Sequence, residues 1–101
     1  MIFRFEAELW RWSAQTGWMF VTLPVDASDE IRALAGRVPR GFGSVRVSVT
    51  VGGTSWATSV FPDKQSGAYV LPVKRPVRTR EQIDEGDVAE FVIEPIGLTT
   101  R

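Results

Sequence analysis

The chain has 101 residues, 44% hydrophobic and 24% charged, which allows one modest core and argues against a disordered segment. It has no histidine and no cysteine, so thiol nucleophiles, Ser-His-Asp triads and zinc sites built on imidazole or thiolate are excluded. Its 12 basic and 12 acidic residues give a formal charge of zero, which speaks against general affinity for nucleic acid.

From the N-terminus, FRFEAELW alternates. Phe3, Phe5, Ala7 and Leu9 share one face and Arg4, Glu6 and Glu8 the other, the period of a half-buried strand. SAQTG reads as a turn, and GWMFVTLP as a nearly continuous apolar strand closed by Pro24. Trp18, among apolar neighbours, is expected in the core. DASDEIRALAG predicts a short helix: Asp26 or Ser28 caps its free amides, Asp29 and Glu30 suit the first turn, and Gly36 suits the end. Ile31, Leu34 and Ala35 form its buried stripe.

SVRVSVTVGGTSWATSVF carries the clearest local signal. Two β-rich runs flank Gly52-Gly53, a pair able to take the positive φ angles of a tight hairpin. A two-residue loop there sets Val51 opposite Thr54, Val49 opposite Trp56, Val47 opposite Thr58 and Val45 opposite Val60, giving one apolar face. Thr50 opposite Ser55, Ser48 opposite Ala57 and Arg46 opposite Ser59 make the other face small and polar. PDKQSG forms the next turn and AYVLPVK a fifth strand, in which Pro72 signals an edge, a bulge or a bend.

LPVKRPVRTREQIDEGDV then places four cations (Lys74, Arg75, Arg78, Arg80) directly before four anions (Glu81, Asp84, Glu85, Asp87). Pro76 can open a helical turn, and Thr79 with Gln82 three residues on fits a capping box. Gly86-Asp87 turns the chain into the last strand, VAEFVIEP. About six short strands with one or two short helices predict a mostly β fold: a small closed or partly open β-barrel. It is expected to be a single domain over residues 1–101. No apolar run approaches the roughly 18 residues of a membrane span. The opening MIFRFEAELW lacks the pattern of a secretory signal. A cytoplasmic protein without disulfides is therefore expected.

GWMFVTLP, the short helix, VRVSVTVGGTSWATSVFP, GAYVLPVKRPVR and the IDEGDVAEFVIE ending, in that order, resemble the DUF1905 family. The resemblance runs from Phe3 to Glu94. Its most specific parts are the tryptophan-bearing hairpin strand, the L-P-V-K segment with Arg78, and Ile83 followed by Gly86-Asp87. It implies a compact β-barrel from a family of small bacterial and archaeal domains of unknown function. Members occur alone or joined to a second domain associated with bacteriocin protection. Gly86-Asp87 entering a strand is also similar to the barrels of AbrB-like regulators, a likeness of fold that does not license function.

Two accounts of the charged stretch follow from the residues. In the structural account it joins two strands: Arg78 or Arg80 pairs with Asp84, Glu85 or Asp87, Gly86 relieves the backbone, and Asp87 accepts amide hydrogen bonds. In the functional account Lys74 and Arg78 bind a carboxylate or phosphate, with Arg46 and Ser59 from the polar hairpin face completing the pocket. Asp84, Glu85 and Asp87 lack the ordered spacing of a calcium loop, so no metal is expected, and no cofactor or catalytic residue is assigned. The leading expectation is a non-catalytic binding module for a small anion or a protein partner. The alternatives are an AbrB-like DNA-associated regulator with Arg75, Arg78 and Arg80 on phosphates, and an enzyme using carboxylate or lysine chemistry.

Overall fold

The computed structural model describes residues 1–12, 17–35 and 43–97. Strand β1 (Phe3–Glu8) runs through Leu9 into β2 (Trp10–Arg11), and β3 (Met19–Thr22) follows. Helix α1 spans Val25–Ala35, strand β4 Val45–Val51, β5 Thr54–Asp63 and β6 Ala68–Pro72. Helix α2 (Arg75–Glu81) precedes the last strand, β7 (Val88–Pro95). The strands form one seven-stranded sheet in the order β1-β7-β4-β5-β6-β3-β2, with every ladder antiparallel.

The two ends of that order are the same piece of chain. Phe3–Glu8 pairs with β7, and only Leu9 separates it from Trp10–Arg11, which pairs with β3. One bent strand thus joins both edges, and the sheet curls into a nearly closed barrel that hides its ladders from lateral pairing. The bend is pinned from the far side: Leu9 donates its N–H to the carbonyl of Asp87, and Gly86 donates to the carbonyl of Leu9, both at 2.9 Å. Leu9 itself is fully buried. Strand β5 turns the opposite corner. Its residues 54–60 pair with β4, while Phe61, Pro62 and Asp63 pair with β6.

All seven expected cross-strand pairs of the β4–β5 hairpin occur, from Val51↔Thr54 to Val45↔Val60. Their alternation buries Val45, Val47, Val49, Val51 and Val60, and these meet Phe91 and Ile93 of β7 and Val21 and Leu71 of β3 and β6 in one core. Of the two loop glycines only Gly52 takes a positive φ, +55°, the pattern of a II′ turn. Strand β1 keeps its expected alternation, and its Phe5 stacks on Phe91 with ring centroids 6.0 Å apart.

Three local expectations are corrected. Helix α1 starts at Val25, because Ser28 already donates to the carbonyl of Pro24, four residues back. Asp26 and Ser28 therefore lie in its first turn; Asp26 still satisfies a free end amide, accepting the Ala27 N–H at 2.8 Å, whereas Ser28 is not a cap. The buried Ser28 hydroxyl accepts the Tyr69 N–H at 3.0 Å and ties α1 to β6. Gly36 lies outside the described residues. Of the edge, bulge or bend expected at Pro72, the edge does not hold for the strand, since β6 runs between β5 and β3. Its ladder with β5 has stopped at Phe61↔Val70, so Pro72 is paired on the β3 side only and the missing N–H breaks no bond to β5. Pro76 does open α2, but Lys74 is the N-cap and Thr79 falls inside the helix, so the capping box is absent. Gln82 instead closes α2 in the left-handed region at φ +58°, and Ile83 donates to the carbonyl of Arg78 at 3.0 Å in a Schellman arrangement. No helix is long and apolar enough to cross a membrane among the described residues.

Candidate functional site

Helix α2 divides the charged stretch in two. On its C-terminal side the acids are engaged. The Thr54 hydroxyl donates to Glu81, seating the helix end against the β4–β5 hairpin tip. Asp84 accepts the amide of Glu85, and Asp87 accepts the amide of Asp84, each at 2.8 Å, closing the turn that Gly86 enters at φ +89°. Glu85 pairs with Arg11 from β2 at 3.0 Å. The expected bridges from Arg78 or Arg80 to Asp84, Glu85 or Asp87 do not form. Among the described residues, the ion pairs are Arg4–Glu90, Arg11–Glu85 and Arg32–Asp29, and none uses a cation of this stretch.

On the N-terminal side three of the four cations meet at a cavity. It has a volume of about 260 Å³ and lies where β6 leaves the sheet and β3 enters it. Gly17, Trp18 and Met19 form one wall, Pro72 and Val73 another, and Lys74, Arg75 and Arg78 the third. The Val73 N–H donates to the carbonyl of Met19 at 2.9 Å, so the two backbone walls are fixed to each other. A second cavity of about 510 Å³ shares Gly17, Met19, Arg75 and Arg78 with the first. It extends along α2 to Arg11, Thr79, Gln82, Ile83 and Asp84. The two form one groove.

Arg78 is half-buried and held from below. Its Nε donates to the carbonyl of Val73 at 3.0 Å, and its Nη2 makes a longer contact, 3.5 Å, to the carbonyl of Gly17. A guanidinium carries five N–H donors. Two are occupied here, so three remain for a ligand on a side chain whose rotamer is already fixed. Lys74 and Arg75 are exposed and contribute charge rather than a fixed geometry. Among the described residues the walls of the first cavity hold no carboxylate and no hydroxyl, and Lys74 is the one nucleophile or base they supply.

The structure brings Lys74 and Arg78 together but not the other two expected ligands. Arg46 and Ser59 face each other across β4 and β5 and line neither cavity. Gly17 and Trp18, not assigned from the sequence, join the site instead, together with Arg75, which the sequence assigns only as a phosphate contact of the regulator alternative. Trp18 is not core: it is 56% exposed, whereas Trp56 does pack against the core. The signal was present in the alternation of β3. Met19, Val21 and Leu23 are buried, so Trp18, Phe20 and Thr22 take the outer face. Among the described residues no group of three acidic side chains is placed to hold a metal ion.

A search of curated proteins returns no significant match. A family model described as a domain of unknown function (DUF1905) matches residues 5–93, nearly the whole barrel from β1 into β7. The chain belongs to the DUF1905 family.

Proposed function

We propose that this domain is a non-catalytic binding module for a small anion, held in the groove between Gly17–Met19 and the start of α2. The carrying observation is the division of charge: Lys74, Arg75 and Arg78 meet at one cavity and none of them is neutralised by a carboxylate. Unpaired cations in a concave site with low-dielectric walls strengthen the attraction for an anion. Arg78 supplies directional donors suited to a carboxylate or phosphate, and Lys74 and Arg75 supply charge. A cavity of about 260 Å³ and a net charge of zero favour a small ligand over a polyanion.

The test is a phosphate titration followed by amide and arginine side-chain NMR shifts, on the native chain and on a Lys74→Gln/Arg75→Gln variant. Both residues are exposed, so the variant keeps the fold. Shifts should concentrate at Gly17, Val73 and Arg78, and the variant should lose at least about tenfold in affinity. Equal affinity in both proteins, or shifts confined to other faces of the barrel, would end the proposal.

A further inference from the structure

Trp18 stands at the same cavity, and its position follows from the β2–β3 ladder. Trp10 pairs with Phe20, and the Trp12 N–H donates to the carbonyl of Trp18 at 2.9 Å, one step further along. Cross-strand partners share a face, as do residues two apart, so all four aromatic residues lie on the outer side of the hairpin. Trp10 and Phe20 stack with centroids 5.4 Å apart, and Trp18 lies 6.3 Å from Phe20 at 31°. This row of rings ends at the cavity. Its last member is 56% exposed beside the apolar Met19, Pro72 and Val73 and next to the three cations.

A single exposed aromatic residue needs no explanation on a protein surface. Here Trp18 has its ring against Phe20 and is one of the residues lining a concave site, which is the arrangement that binds flat ligands. We infer that the groove takes an anion that carries a flat ring, an aromatic carboxylate or phosphate monoester. The ring lies on the Trp18 indole, and the anionic group meets Arg78 and Lys74. This inference rests on the anion-site proposal and adds the ring. The volume of about 260 Å³ sits near the lower end of ligand pockets, room for one ring and one anionic group.

The experiment compares inorganic phosphate, phenyl phosphate and cyclohexyl phosphate by calorimetry, with the Trp18 indole N–H followed by NMR. Phenyl phosphate should bind on the order of three- to tenfold more tightly than either of the other two, the range of one aromatic stacking contact. Trp18→Ala should abolish that preference, so that phenyl and cyclohexyl phosphate bind alike, while Trp18→Phe should keep part of it. Because Trp18 is largely exposed, an unchanged amide spectrum will confirm that the variants fold. If phenyl and cyclohexyl phosphate bind alike, or Trp18→Ala keeps the preference, the ring site is wrong and the anion site stands. If none of the three binds, both fall together.

Discussion

Gly52→Ala probes how α2 is seated on the barrel. Gly52 has φ +55°, a conformation that costs an L-residue about 1–2 kcal/mol. An added Cβ would also overlap the Oε1 atom of Glu81, whose other oxygen accepts the Thr54 hydroxyl. The carboxylate must then swing out and give up that bond. Glu81 is only half-buried, so the loss is about 1.5 kcal/mol, the low end for a hydrogen bond to a charged group. The sum is roughly 2.5–3.5 kcal/mol. Gly53 lacks a positive φ, and its Cβ would meet nothing within 4 Å, so Gly53→Ala should stay within about 0.5 kcal/mol of the native chain. Urea unfolding followed by tryptophan fluorescence measures both. In a Glu81→Ala background the cost of Gly52→Ala should fall to its backbone part, a coupling of about 1.5 kcal/mol. Equal effects of the two glycine substitutions, or no coupling to Glu81, would refute the seating of α2 on the hairpin tip.

Two further substitutions test other joints. Gln82→Gly removes a non-glycine residue from the left-handed C-cap of α2 and should stabilise by about 0.5–1 kcal/mol, read as a rise of a few degrees in Tm. An unchanged or lower Tm would contradict the cap. Ser28→Ala deletes the fully buried acceptor of the Tyr69 amide and should cost about 1–2 kcal/mol, with faster hydrogen exchange at Tyr69 than at its strand neighbours. Unaltered exchange there would show that the bond does not hold α1 to β6.

The barrel was legible wherever alternation and a turn signal coincided. Gly52-Gly53 between two β-branched runs set the β4–β5 register, because a slip of one residue would turn Val45, Val47, Val49 and Val51 outward. Hidden from the sequence were choices made by distant partners. Ser28 looks like a helix cap, yet its acceptor capacity goes to an amide 41 residues away. The two-residue strand Trp10–Arg11 looks like the end of β1, and only its pairing with β3 shows that it closes the sheet. Hydrophobicity alone puts Trp18 in the core, whereas phase, the alternation of Met19, Val21 and Leu23, puts it outside.

The pairing of the charged stretch does not follow from its sequence, for a physical reason. Adjacent blocks of opposite charge invite local pairing, but exposed pairs are worth little, about 0–1 kcal/mol, and backbone demands outweigh them. The turn before β7 has amides to satisfy, and Asp84 and Asp87 satisfy them; Glu81 goes to Thr54 and Glu85 to Arg11. Each of these uses brings order to a turn or joins two elements, whereas a bridge across α2 would do neither. Lys74, Arg75 and Arg78 are left without an ion pair at the start of the helix. Of these, Arg78 alone is given backbone partners, and they anchor it to Val73 and Gly17 at the floor of the groove. The structural role of the acids and the proposed anion site are therefore compatible. The acids that build the turn, by being occupied there, are what leave Lys74, Arg75 and Arg78 without counter-charges around one cavity.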